Sequence, residues 1–163
     1  MDTLRAIYTK RNTPVSLLIR CANPVSITRI APVSHVIAVD GDTGYGIEAN
    51  MLHGVRRAPL SELLSGATIV ADISYQVLEA RPGLIWMRET ADRHAEYDFK
   101  GALGLGLSPT RDWQEDTDWF CFEFFANAMA KSGRKAFLNN ARVSGYMLMS
   151  LNPFMCGYPV AVK

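Results

Sequence analysis

The stretch Asp118-Trp119-Phe120-Cys121-Phe122-Glu123-Phe124-Phe125 constrains this chain more than any other. Apolar residues continue to Lys131 and Ser132-Gly133 closes the run, which predicts an apolar helix from about Cys121 to Lys131. The acidic lead-in Asp116-Asp118 supplies N-cap candidates, and Gly133 supplies the left-handed residue that commonly ends a helix. Cys121 then falls in the first turn, where free backbone N–H groups and the macrodipole favour the thiolate, the reactive form of a thiol. Cysteine is also among the most buried residue types, so core filling is the alternative reading of the same position. What favours chemistry is the set of partners upstream.

A chain of 163 residues, 48% hydrophobic and 20% charged, suits one domain over residues 1–163 with a real core. The net charge of +1 makes no case for nucleic acid or an anionic membrane as main partner. Charge is uneven along the chain: residues 1–30 carry five Lys/Arg against one acid, and residues 89–123 nine acids against three bases. The second stretch reads as a solvated face and helix-start chemistry. Three cysteines, Cys21, Cys121 and Cys156, make neither a disulfide framework nor a zinc motif, so a reducing compartment is expected and no metal or other cofactor is. The start Met1-Asp2-Thr3-Leu4-Arg5 lacks the pattern of a signal peptide, and no stretch approaches the roughly 18 apolar residues of a membrane span. The expected location is the cytoplasm, or outside it by a route other than ordinary secretion.

In chain order, Pro14 to Arg20 predicts a first buried strand, and Pro24 with Ser26–Ile30 a turn and a brief helix. Ser34 to Val39 is apolar and β-branched, stops at Asp40-Gly41-Asp42, and is followed by a second strand from about Tyr45 to Ala49, a hairpin signature. His35 begins one strand and Glu48 nearly ends its neighbour, so an antiparallel pairing can set them side by side. Val55–Ala58 continues the sheet, Pro59 to Gly66 reads as a short helix, and Ala67 to Val77 returns as a strand. Leu84, Ile85, Met87, Arg88 and Ala91 form a helical stripe, and a second helical piece is expected near Asp98. Gly101-Ala102-Leu103-Gly104-Leu105-Gly106 lacks the Lys-Ser/Thr ending and spacing of a phosphate loop, and is expected to serve close helix packing. After the loop Ser108 to Asp116 and the cysteine helix, residues 134–163 predict one more helix before Asn152-Pro153 and a final strand, Tyr158 to Val162. The class is α+β.

A cysteine at a helix start, a histidine on a strand and a carboxylate one strand further are the parts of an activated thiol: His35 takes the proton from Cys121, and Glu48 holds the imidazole in the useful tautomer. His53, in a loop, and His94, in a polar turn, are rival bases. An acyl group would pass to Cys121 with helix-start N–H groups facing the oxyanion.

Ser34-His35-Val36, Gly46-Ile47-Glu48-Ala49, Ala58-Pro59-Leu60, Trp86 ahead of Tyr97-Asp98-Phe99, and Trp119-Phe120-Cys121-Phe122-Glu123-Phe124 together resemble, in order and spacing, the circularly permuted NlpC-type papain-like amidohydrolases, the YiiX/YaeF-like group. The resemblance covers about Leu17 to Gly133 and includes the inverted order, histidine before cysteine. It implies an antiparallel sheet packed against helices, Cys121 as nucleophile, His35 as base and Glu48 as orienting residue. It also implies substrate contacts from Tyr97, whose hydroxyl can assist the oxyanion, and from Ser34, Trp119 and Phe122 beside the triad. The family's cysteine is usually followed by Ser, where this chain has Phe122, and a Gly-Asp pair often opens the family's first strand, which is missing near Leu17-Leu18-Ile19.

The implied activity is a cysteine hydrolase or amidase that cleaves cell-wall peptides or related γ-glutamyl and amino-acid amides through a thioester. An acyltransferase or thioesterase acting on a lipid or small acyl substrate is the second expectation, for which Phe120, Phe122, Phe124 and Phe125 would line an acyl pocket. A non-catalytic structural or assembly protein, for instance a phage-particle component, is the third.

Overall fold

The computed structural model describes residues 1–22, 31–98, 118–140 and 143–151. Its frame is a five-stranded antiparallel sheet in the order β4-β3-β2-β1-β5. The strands are β1 Asp2–Lys10, β2 His35–Val39, β3 Tyr45–Asn50, β4 Gly54–Pro59 and β5 Thr68–Val77. The helices are α1 Pro14–Ala22, α2 Leu60–Leu63, α3 Ala80–Asp92, α4 Cys121–Lys131 and α5 Gly145–Ser150. None of these helices is long and apolar enough to cross a membrane.

The expected hairpin is β2–β3. Ala38 pairs with Ile47 and Val39 with Gly46, the Asp40 N–H donates to the Tyr45 carbonyl at 3.0 Å, and Gly41 and Gly44 take the positive φ values the loop requires. The alternation of β1 puts Leu4, Ala6 and Tyr8 on the same face of the sheet as Val36, Ala38, Ile47 and Ala49. That face packs on α3 and α4 through Met87, Ala91, Phe120, Phe122, Phe124 and Phe125. Each of those phenyl rings is 1–2% exposed and contributes on the order of 1.5–3 kcal/mol by leaving water. Ile37, on the opposite face, joins Ala58 and Leu63 beneath α2. Gly46 lets α2 approach there, because a Cβ would strike Ile37, Leu60 and Leu63.

The two α-helices on the main face touch backbone to backbone at Gly83 of α3, where a Cβ would strike Ala128 and Ser132 at the end of α4. Aromatic rings extend the contact: Trp86 meets Trp119 edge to face at 5.2 Å and Phe124 at 5.2 Å. Asp40, 0% exposed, ties the hairpin loop to β4 and α3 by accepting from Arg57 and from Arg88, whose Nε lies at 2.8 Å. Burial opposes ionisation of Asp40, but the two guanidiniums outweigh it and hold the carboxyl below its ordinary range.

Several expectations are corrected. Pro14 to Arg20 is helix, not strand: Thr13 Oγ1 accepts from the Ser16 N–H at 3.2 Å, its carbonyl accepts from the Leu17 N–H at 3.0 Å, and Pro14 stands at the first helical position, where its missing N–H costs nothing. Ser16 and Ile19 face inward while Leu17 and Leu18 are exposed, a period no strand can give. The first strand is instead β1, Asp2–Lys10. Helix α4 does run from Cys121 to Lys131 with Gly133 at positive φ, but its N-cap is Phe120 without a side-chain cap, so Asp118 does not cap it. The tail helix starts only at Gly145, behind Ser144, whose hydroxyl accepts from the Met147 N–H at 3.2 Å. Asp98 itself is not helical, and Asp116, the brief helix at 26–30, residues 99–100 after Asp98, the glycine-rich 101–106 and the strand at 158–162 lie outside the described residues.

Candidate functional site

Three elements bring three side chains together. Cys121 is the first residue of α4 and 1% exposed; its sulfur lies 4.0 Å from the Ser34 carbonyl oxygen. His35 opens β2 and directs Nε2 to Glu48 Oε2 of β3 at 2.6 Å. The Cys121 side chain acts electrostatically on the imidazole, and with Nε2 given to Glu48 it is Nδ1 that remains for the sulfur.

Strand pairing explains the convergence. Thr9 of β1 pairs with His35, and the Ser34 N–H donates to the Thr9 carbonyl at 3.0 Å, which pins the entry to β2 against β1. The face of β1, β2 and β3 that carries α4 brings the helix start to that same end. Glu48, 2% exposed, faces Arg56 across the β3–β4 pair; Arg56 Nε donates to Glu48 Oε1 at 2.8 Å, and Arg56 Nη1 donates to Glu62 Oε1 of α2 at 2.7 Å. Both carboxylate oxygens of Glu48 are thus occupied by cationic partners.

The electrostatics follow from burial and contact. Burial by itself would lower the proton affinity of His35, but its bonds to Cys121 and Glu48 outweigh that and push it up to about 10. Burial would raise Glu48, yet His35 and Arg56 overcome the penalty and hold it below the ordinary carboxylate value. The contacts around His35 thus favour the protonated imidazole, with a carboxylate on one side and the Cys121 sulfur on the other.

Tyr97 stands next to this group. The Asp98 N–H donates to the Trp119 carbonyl at 3.2 Å and the Trp119 N–H to the Glu96 carbonyl at 3.1 Å, a two-bond clasp that sets Tyr97 beside the lead-in to α4. Burial drives its hydroxyl well above the ordinary tyrosine value, and the negative forms of Cys121 and Asp98 drive it further the same way, so the phenol is neutral and can donate.

The other expected contacts are placed differently. The Ser34 hydroxyl accepts from Ser16 at 2.7 Å in a buried contact with α1, so its carbonyl, not its hydroxyl, meets the sulfur. Trp119 is half-buried and packs its ring on Trp86, fastening the start of α4 to α3. Phe122 is 1% exposed and packs against Phe120, Val33 and Gly145, in the core and not on an open pocket wall. Of the rival bases, His53 is exposed in the turn between β3 and β4, and His94, at φ 53, is the exposed residue that ends α3.

Two groups around the site were not expected from the sequence. Arg56 was legible as the opposite-charge partner of Glu48 once the turn at 51–53 is centred between them. Tyr8 and Tyr75, 0% and 1% exposed, share a hydrogen bond of 2.6 Å; Tyr75 donates to the Leu148 carbonyl at 3.0 Å, so Tyr8 donates to Tyr75. Burial raises the Tyr8 hydroxyl, followed by Tyr75 and then by Cys121, which puts that hydroxyl within electrostatic reach of the sulfur. No local pattern announces it. Among the described residues no three His, Cys, Asp or Glu side chains gather as a metal site.

Comparison of this chain with models of known protein families, with curated proteins and with solved structures finds no match.

Proposed function

We propose that this protein is a cysteine hydrolase with a permuted papain-like arrangement, which cleaves an amide bond through a thioester on Cys121. The observation that carries the proposal is the convergence of Cys121, His35 and Glu48, with His35 Nε2 at 2.6 Å from the carboxylate and its other nitrogen left for the sulfur at a helix start. An imidazolium beside a sulfur is the partner a thiolate nucleophile requires.

In this reading the Cys121 sulfur, its proton held by His35, attacks the substrate carbonyl carbon and forms a C–S bond. The oxyanion faces the first-turn N–H groups of α4, which an α-helix leaves without intrahelical partners, and the Tyr97 hydroxyl. Collapse breaks the C–N bond, and the leaving amine takes the proton from His35. Water, deprotonated by His35, then cleaves the thioester and restores the thiol. Glu48 keeps the ring oriented and its proton in place throughout. Peptide amides, of the cell-wall or γ-glutamyl kind that the sequence resemblance suggests, are the substrates to try first. An acyl pocket draws no support from Phe120, Phe122, Phe124 and Phe125, since all four are core residues.

The test is the rate of iodoacetamide labelling of each cysteine against pH, read by mass spectrometry, followed by a screen of peptide amides. Expected is rapid labelling of Cys121 below the free-thiol range of about 8.5, with loss of that advantage in His35→Ala. Labelling of Cys121 that is no faster than that of the exposed Cys21, and indifferent to His35, sinks the proposal and leaves a structural or assembly role.

A further inference from the structure

The pair His35–Glu48 does not end at Glu48. Its second oxygen, Oε1, is taken by Arg56 Nε at 2.8 Å, and the far side of the same guanidinium, Nη1, holds Glu62 Oε1 at 2.7 Å. Exposure rises along this row. The Glu48 side chain is 2% exposed, that of Arg56 28% and that of Glu62 56%. A carboxylate so deeply buried carries a large desolvation cost, and one imidazole that itself exchanges protons with a thiol is a poor permanent counter-ion for it. A guanidinium is protonated at every accessible pH and offers a fixed charge. The ionisable groups around Glu48 are His35 from β2, Arg56 from β4, Glu62 from α2 across Arg56, and Cys121 from α4 across His35.

We infer that Arg56 is a positioning residue for the thiol site: it keeps Glu48 ionised while His35 gains and loses its proton, and so sets the lower pH limit at which the Cys121–His35 pair can work. The inference rests on the reading of Cys121 as nucleophile. Without Arg56, Glu48 and His35 would share one proton in a neutral pair, and Glu48 would be protonated at a higher pH. Once protonated it no longer holds the imidazolium. Both contacts, to His35 and to Arg56, act on Glu48 in the direction opposite to burial. Glu62 is the outer, solvated end and serves only to aim the guanidinium, an exposed contact of small worth.

The experiment follows two readouts across pH in the full chain, for wild type, Arg56→Met, Arg56→Lys and Glu62→Gln, each checked for folding by its thermal transition. One is the Cys121 alkylation rate. The other is the carboxyl titration of Glu48 by carbon NMR, assigned from the signal missing in Glu48→Gln. In Arg56→Met the acid limb of alkylation and the Glu48 midpoint should both move to higher pH by about one unit or more. Arg56→Lys should restore most of that shift, and Glu62→Gln should leave it near wild type. A Glu48 midpoint unmoved in Arg56→Met overturns the inference, as does an alkylation limb that stays in place while wild-type Cys121 reacts rapidly. If wild-type Cys121 is inert, the nucleophile reading fails, and the Glu48 titration alone then decides whether Arg56 holds the carboxylate ionised.

Discussion

Glu48 receives His35 Nε2 at 2.6 Å on one oxygen and Arg56 Nε at 2.8 Å on the other, from the strands on either side of its own. Glu48→Gln keeps the volume and removes the charge, so the imidazole loses what retains its proton. Each unit by which the proton affinity of His35 falls cuts the protonated fraction about tenfold once pH exceeds it. The expected outcome is that Cys121 alkylation near neutral pH drops at least about tenfold in Glu48→Gln, with the fold intact by circular dichroism. An alkylation profile identical to wild type counts against Glu48 as the orienting group.

His35 makes folding pH-dependent. Burial disfavours its charged form, but Cys121 and Glu48 raise its proton affinity from 6.5 to about 10 in the folded chain. A raised value stabilises the fold fully below about 6.5 and progressively less as pH climbs through about 10. Glu48 works in the opposite sense: its folded value is depressed, so its contribution is present above the ordinary 4.5 and fades as pH falls through the folded value. Thermal melts of wild type and His35→Gln should therefore differ most between those limits, near pH 5.5, and converge toward pH 10.5. A gap that is the same at both pH values would mean that His35 contributes by packing alone.

Asp40 is the hub between the β2–β3 loop, β4 and α3. Asp40→Asn should cost about 1.5–3 kcal/mol, the scale of lost hydrogen bonds to charged groups. It should fall short of the roughly 3–5 kcal/mol of a fully buried broken pair, because the side chains of Arg57 and Arg88 are 35% and 43% exposed and can rehydrate. Urea unfolding measures this, and an unchanged midpoint would remove Asp40 as a hub.

Gly83 is where α3 meets the end of α4. A methyl group there would strike Ala128 and Ser132, so Gly83→Ala should destabilise by about 1–3 kcal/mol despite the better helix propensity of alanine. A stabilised variant in a thermal melt would show that the helices can separate at no cost.

The hairpin from His35 to Ala49, the limits of α4 and the strand ending at Val77 were legible from residues near one another: turn glycines, a run of β-branched residues, a closing Gly133. The pairing of His35 with Glu48 followed from that hairpin because antiparallel register fixes which residues share a face. Pro14 to Arg20 suits a strand or a short helix equally well as seven mostly apolar residues; Thr13 before Pro14, a capping residue ahead of a first-turn proline, is the local signal that decides for the helix. Contacts between distant elements have no such local sign. Side-chain types and local spacing determined that a thiol would head an apolar helix and that a histidine and a carboxylate would sit on paired strands. Whether the Ser34 hydroxyl faces the thiol or Ser16, whether Phe122 lines a pocket or fills the core, and that Tyr8 shares a buried hydrogen bond with Tyr75 were decided only by packing. Those outcomes depend on which surfaces α1, α4 and α5 leave covered once all press on one sheet, and that competition for burial has no local signature.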